Sequence, residues 1–131
     1  IVAIGASIAV PQYSSYVQKT IVSTGFQYAI GPQVEIAEKV RSGGELPPNS
    51  QRFYENSSAD AEISYVHWYS NKAHGGRIVI NYGPGAGPRL KNKRLWFVLD
   101  ASNPLRVKWT CMNYPKASRA LPVDTLPKKC L

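Results

Sequence analysis

The chain holds two cysteines, Cys111 and Cys130, both in its last quarter and with 18 residues between them. They lack a CxxC spacing and a neighbouring histidine, and His67 and His74 stand elsewhere, so the four ligands of a closed zinc site are not assembled by the sequence. Two readings stay open, a disulfide or a pair of buried free thiols. As a disulfide, the pair closes a loop that removes about 3 kcal/mol of unfolded-chain entropy. That matters in a chain of 131 residues, long enough for one modest core that buries about two-thirds of the unfolded surface. It also places maturation in an oxidising setting: periplasm, cell surface or extracellular space.

The opposite end has the contrary character. Ile1 to Val10 carries no charge, yet ten helical residues rise only about 15 Å against a hydrocarbon core of about 30 Å. The segment is half a membrane anchor, or a buried strand or core helix. It has no basic region and no initiating Met, so it does not read as a signal peptide, and the expectation is that residues precede Ile1 in the natural product.

From Gln12 to about Ser42 apolar residues recur at helical steps (Tyr13, Tyr16, Val17, Phe26, Ala29, Ile30, Ala37, Val40), which predicts an amphipathic helix. Pro11 and Pro32 each delete an amide donor and crowd the preceding turn, so bends are expected at both, with Gly31-Pro32 the stronger break. Gly43-Gly44 ends the helix and Pro47-Pro48 prevents its resumption. Leu46 to Ala61 is polar and aperiodic and reads as a surface loop.

Four strand-like runs follow: Glu62 to Tyr69, Arg77 to Tyr82, Arg94 to Leu99 and Arg106 to Met112. In the first, Ile63, Tyr65, His67 and Tyr69 alternate with Ser64, Val66 and Trp68. Asn71 to Gly76 reads as a hairpin turn, Gly83 to Pro88 as a flexible connection and Asn103-Pro104 as a turn. Connections this short predict antiparallel pairing, because a parallel pair needs a crossover of a dozen or more residues. Tyr114 to Cys130 contains Pro115, Pro122 and Pro127 and no periodicity, so it needs tying down.

In combination these residues resemble a type IV pilin. Pro11-Gln12-Tyr13 after Ile8-Ala9-Val10, continued by Tyr16-Val17, is similar to the proline-centred motif midway along that family's first helix. Trp109-Thr110-Cys111, and Leu126-Pro127 before Cys130, resemble its last strand and C-terminal cysteine. The resemblance implies an α+β fold: a long N-terminal α-helix packed on a four-stranded antiparallel β-sheet, with a C-terminal loop bounded by a Cys111 to Cys130 disulfide. Residues 1–42 would be the helix, first as membrane anchor and filament core and then as an amphipathic half; residues 43–131 would be the globular head. The chain departs from the family pattern in lacking an aromatic first residue and a glutamate a few positions in.

The same resemblance implies the function, a structural subunit of the type IVa-like major pilin kind. It would polymerise with itself into a surface filament for adhesion, twitching motility or DNA uptake. Its partners would be the inner membrane before assembly, the pilus assembly machinery, and DNA or a host surface. Ile1, Val2, Ile4, Gly5, Ile8, Val10 and Pro11 would line the filament core. There Gly5 and Pro11 would ease local melting, or Gly5 would serve close packing. The alternatives are a DNA-binding minor pilin of a competence system and a secretion pseudopilin, the latter opposed by the cysteine-closed tail.

Charge supplies the remaining candidates. Residues 1–60 carry four basic and five acidic side chains and residues 61–131 carry twelve and three, so the whole excess belongs to the C-terminal half. Arg89, Lys91, Lys93 and Arg94 cluster before a strand bearing Trp96 and Phe97, and Lys116, Arg119, Lys128 and Lys129 lie in the tail. Cations beside aromatics suit a polyanion, although such lysines also serve as solvated surface. Catalysis finds little support: no G-x-S-x-G or H-E-x-x-H occurs, and Gly83 to Gly87 lacks the Lys-Ser/Thr of a phosphate loop. No cofactor is expected. Asn56-Ser57-Ser58 fits a glycosylation sequon.

Overall fold

The computed structural model describes residues 2–43, 46, 47, 49–71 and 75–131, with side chains described from Tyr16 onward. Helix α1 runs from Val2 to Arg41. Five strands follow: β1 (Ser50–Glu55), β2 (Ile63–Ser70), β3 (Gly75–Tyr82), β4 (Arg94–Asp100) and β5 (Lys108–Asn113). They form one sheet in sequence order, every neighbouring pair antiparallel, as the short connections require. Short 3-10 turns at Pro84–Ala86, Ala117–Arg119, Val123–Thr125 and Lys128–Cys130 shape the remaining segments.

Among the described residues, α1 packs on one face of the sheet. Val22, Ala29, Ile36 and Val40 form a buried stripe along α1 and meet Val66, Trp68, Ile78, Ile80, Leu95, Phe97 and Leu99 on the sheet. Burial at this spacing is what anchors a helix of mixed polarity, since its own propensity contributes little. Phe26 stands edge-on to Phe97 with ring centroids 5.4 Å apart, and Tyr28 leans on Tyr54 at 4.7 Å.

Three expectations are corrected. Gly31-Pro32 does not break α1, which is helical through both Pro11 and Pro32. The amide that Pro32 lacks would have bonded the carbonyl of Tyr28, a partly exposed position, where that carbonyl can be solvated, while buried Ala29 and Ile36 hold the helix on either side. Within the segment read as a surface loop lies β1, so the sheet has five strands and not four. Its sequence, SQRFYE, is polar because β1 is an edge with one partner, and a shift of register between Arg52 and Tyr54 turns Tyr54 towards the core.

The third correction concerns Gly83 to Pro88, which is held and not a loose connection. The Gly83 amide donates to the Glu62 carbonyl and the Gly85 amide to the Ala61 carbonyl, both at 2.8 Å. A Cβ on Gly85 would collide with the Asp60 and Ala61 backbone.

Boundaries elsewhere moved little. The helix does end at the first of the two glycines: Gly43 takes φ 81° and its amide donates to Val40, while Gly44 lies outside the described residues. Gly75 and Gly76, expected in the hairpin turn, open β3 instead. A second irregularity, between Ile63 and Tyr65, places Ile63 in the core with Val66 and Trp68 rather than in line with Tyr65, His67 and Tyr69.

Candidate functional surfaces

The disulfide joins Cys111 on β5 to Cys130 in the last 3-10 turn, with Cα atoms 4.7 Å apart. Both half-cystines are buried in the core. A second fastening, not foreseen from the sequence, is Asn113. Its Oδ1 accepts from the Leu121 and Tyr114 amides, each at 2.9 Å, and its Nδ2 donates to the Leu121 carbonyl at 3.0 Å. Leu121 is thereby seated in the core. An asparagine at a strand end, before a stretch with no periodicity, was the one available signal, and it is shared with ordinary turns.

The tail also grips α1. Arg89 donates to both carboxylate oxygens of Asp124 (2.9 and 3.3 Å) and to Gln18 Oε1 at 2.7 Å. The guanidinium holds the Asp124 carboxyl below its usual range. Lys129 Nζ stands 5.3 Å from the centre of the Phe26 ring.

The eight cations proposed from the sequence therefore do not form one surface. Arg89 is engaged by Asp124 and Gln18, Lys93 donates to the Ser118 carbonyl at 2.9 Å, and Lys129 covers Phe26. Lys91, Lys116, Arg119 and Lys128 are exposed. Arg94 stands on the sheet face that turns away from α1. The side chains of Val2, Ile4, Gly5, Ile8, Val10 and Pro11, and all of Ile1, lie outside the described residues.

That outer face gathers a set of residues the sequence leaves scattered. The register aligns Tyr65, His67 and Tyr69 of β2 with Asn81, Val79 and Arg77 of β3, and these with Arg94, Trp96 and Val98 of β4. Arg77 lies 4.6 Å from the Trp96 ring centre and 5.3 Å from that of Tyr69; Arg52 lies 4.4 Å from Tyr65, and Arg94 5.6 Å from Tyr114. Trp96 stands edge-on to Tyr114 at 5.4 Å. A cleft of about 260 Å³ opens among these rings and the Arg77 and Arg94 guanidiniums.

Polar contacts fix its walls. Arg94 Nε donates to Asn81 Oδ1 at 3.2 Å, and Asn81 Nδ2 donates to Ser64 Oγ at 2.7 Å. Burial pushes the Tyr65 hydroxyl up, while the positive charges of Arg94, Arg52 and Arg119 act in the opposite direction. At the β1 border, Arg52 Nε donates to His67 Nδ1 at 2.8 Å, so His67 Nε2 is left to donate to Ser50 Oγ at 2.5 Å.

A long helix laid by its C-terminal half on one face of an antiparallel sheet, with a disulfide binding a proline-rich tail to the last strand, is the α+β architecture of a filament-building subunit. The chain belongs to the pilin family: residues 19–131 match Pilin, a bacterial filament family. No curated protein matches the chain. The fold is the pilin fold, and the family assigns the chain a structural place in a self-assembling surface pilus. Among the described residues, no helix is long and apolar enough to cross a membrane.

Proposed function

We propose that this chain is a type IVa-like major pilin, a non-enzymatic subunit that is held in the inner membrane before assembly and polymerises through its N-terminal helix. The observation that carries the reading is one of lengths. The 40 residues of α1 rise about 60 Å, whereas the eight residues of β2 and of β3 reach about 27 Å. Less than half of the helix can therefore be covered by its own sheet, and its described buried positions begin only at Val22. The rest needs another surface, and copies of the same helix supply one.

Heterologous contact between identical helices generates an open helical polymer when the rotation between copies does not close. The uncharged stretch Ile1 to Val10, including Ile1, Val2, Ile4, Gly5, Ile8, Val10 and Pro11, suits such a core because small and apolar residues let axes approach closely. In this reading α1 forms the filament axis and the disulfide-bound tail is displayed at the periphery. Adhesion, twitching motility and DNA uptake are the roles such a filament would serve.

Co-expression of the full gene with a pilus assembly system, followed by electron microscopy and mass spectrometry of sheared filaments, tests the proposal. Filaments made chiefly of this chain are expected. Filaments in which it occurs only in trace amounts would move it to a minor-pilin role.

A further inference from the structure

From the cleft on the outer sheet face we infer a binding site for single-stranded nucleic acid, formed by Tyr65, Tyr69, Arg77, Arg94, Trp96 and Tyr114. The inference goes beyond assembly of the filament and does not depend on it.

The argument begins with charge. Among the described residues the ion pairs are Arg52 with Glu55 and Arg89 with Asp124, so neither Arg77 nor Arg94 meets a carboxylate. Both guanidiniums lie instead against aromatic rings in a cleft that contains no acidic side chain. Two further donors point to an acceptor-rich ligand: Arg77 Nε and Trp96 Nε1 are buried and have no hydrogen-bond partner in the protein. A buried donor left unpaired is costly; Trp109 Nε1 on the helix side is unpaired as well, so it is the guanidiniums and open ring faces of the cleft that mark this wall for a ligand.

Shape narrows the class. The cleft, about 260 Å³, suits one flat ring with its attached anionic group rather than a globular partner. Its walls are aromatic faces and guanidinium planes, the two kinds of surface on which unpaired bases stack. Arginine also pairs with phosphate through parallel N–H donors. The site is continuous at its β1 border with Arg52, which stands over Tyr65 of β2, and across β4 the register sets Trp96 beside Met112 of β5. The five strands, spaced about 4.8 Å apart, thus offer a track several nucleotides long. A duplex keeps its base faces stacked inside and presents phosphates and base edges, so the aromatic walls select for unpaired strands.

The experiment is titration of the purified full chain with oligo-deoxythymidylate of about twelve nucleotides, within the range of site sizes for single-strand binders. Intrinsic fluorescence and anisotropy of a labelled strand are the readouts. Trp68 and Trp109 face the helix side of the sheet, so quenching reports Trp96. Expected are quenching on binding, a linear fall of log affinity with log salt, and weakening of about tenfold or more for Trp96→Leu, with Trp96→Phe intermediate. Arg77→Ala and Arg94→Ala should each lower the salt slope by about 0.7, and Arg77→Lys should keep the slope while losing affinity. Arg89→Ala, on the other side of the molecule, should bind as the parent does.

Unchanged thermal melting of each variant shows that the fold survives. Absence of binding at low salt overturns the inference. So does binding that is indifferent to Trp96→Leu, or that is matched by duplex DNA, heparin or an acidic sugar polymer.

Discussion

Tyr82, at the end of β3, passes its hydroxyl through the gap left by Gly25 on α1 and donates to the Val22 carbonyl at 2.8 Å. The ring is fully buried, and burial drives its hydroxyl far above the ordinary tyrosine range, which keeps it a neutral donor. A Cβ at residue 25 would lie 2.9 Å from Tyr82 Cζ. In an isolated helix Gly25→Ala would gain about 1 kcal/mol; here the substitution is expected to lower the melting temperature. Tyr82→Phe should cost about 1–2 kcal/mol by leaving the helix carbonyl with one donor fewer. The double variant, measured by urea denaturation, should cost less than the two single effects added together, because both act on one contact. Additive losses would contradict the coupling.

Loss of the Cys111 to Cys130 disulfide in a Cys111→Ser, Cys130→Ser variant should reduce stability by about 3 kcal/mol. The sheet and α1 share a core of their own, so the variant is expected to fold at low temperature. Its tail should become the first site of proteolysis, read by limited digestion and mass spectrometry.

Asn113→Ala removes three hydrogen bonds to the tail and leaves the Leu121 amide and carbonyl without their side-chain partner. A loss of about 1–3 kcal/mol is expected, with amide exchange accelerated at Leu121 and Tyr114 before anywhere in β2 or β3. Uniform acceleration would mean that Asn113 is not a local fastening.

His67 sets a pH dependence. Burial and then the Arg52 charge lower its pKa from the ordinary value of 6.5. The unfolded chain therefore takes up the proton first as pH falls. The contribution of neutral His67 to stability is complete above about pH 6.5 and is lost as pH drops through the lower folded value. Melting temperatures followed from pH 8 down to pH 5 should fall more steeply for the parent than for His67→Gln, and the difference should report release of Ser50 and Arg52 on β1. Parallel curves would remove His67 as the cause.

Arg89 and Asp124 give the same sign, in a lower pH window and with a small amplitude. The Asp124 carboxyl is held low, so its contribution is present above the ordinary carboxylate pKa and fades as pH falls through the folded value. Both side chains are about half exposed (48% and 52%), and a coupling of under about 1 kcal/mol is expected from a double-mutant cycle. Salt should shrink it further.

How much of this was legible in the sequence depends on how local each cause is. The strands β2 to β5 announce themselves through β-branched and aromatic runs, and the helix end through Gly43, because these preferences act within a few residues. Strand β1 does not, since an edge strand with a polar face lacks the apolar alternation that would reveal it. The continuity of α1 through Pro32 follows from Ala29 and Ile36 seating on strands far away in the chain, a tertiary effect that overrides a local penalty. The cysteines and their proline-rich loop were readable from the resemblance. The outer-face cleft was not, for its residues come from β2, β3, β4 and the start of the tail, and only the register brings Arg77 beside Trp96. Of the cations singled out beforehand, Arg94 belongs to that cleft, whereas nothing local distinguishes it from Arg89, which turns to α1.

The buried stripe from Val22 to Val40 lies along the helix rather than across it, and this fixes how the molecule answers mechanical load. A pull on the N-terminal end of α1, directed along its axis, would stress the whole seam in shear, so that many small contacts must yield together. Force applied perpendicular to the axis would instead peel the same seam open one turn at a time. Held by that end within a fibre, the head would resist a pull along the axis better than one across it.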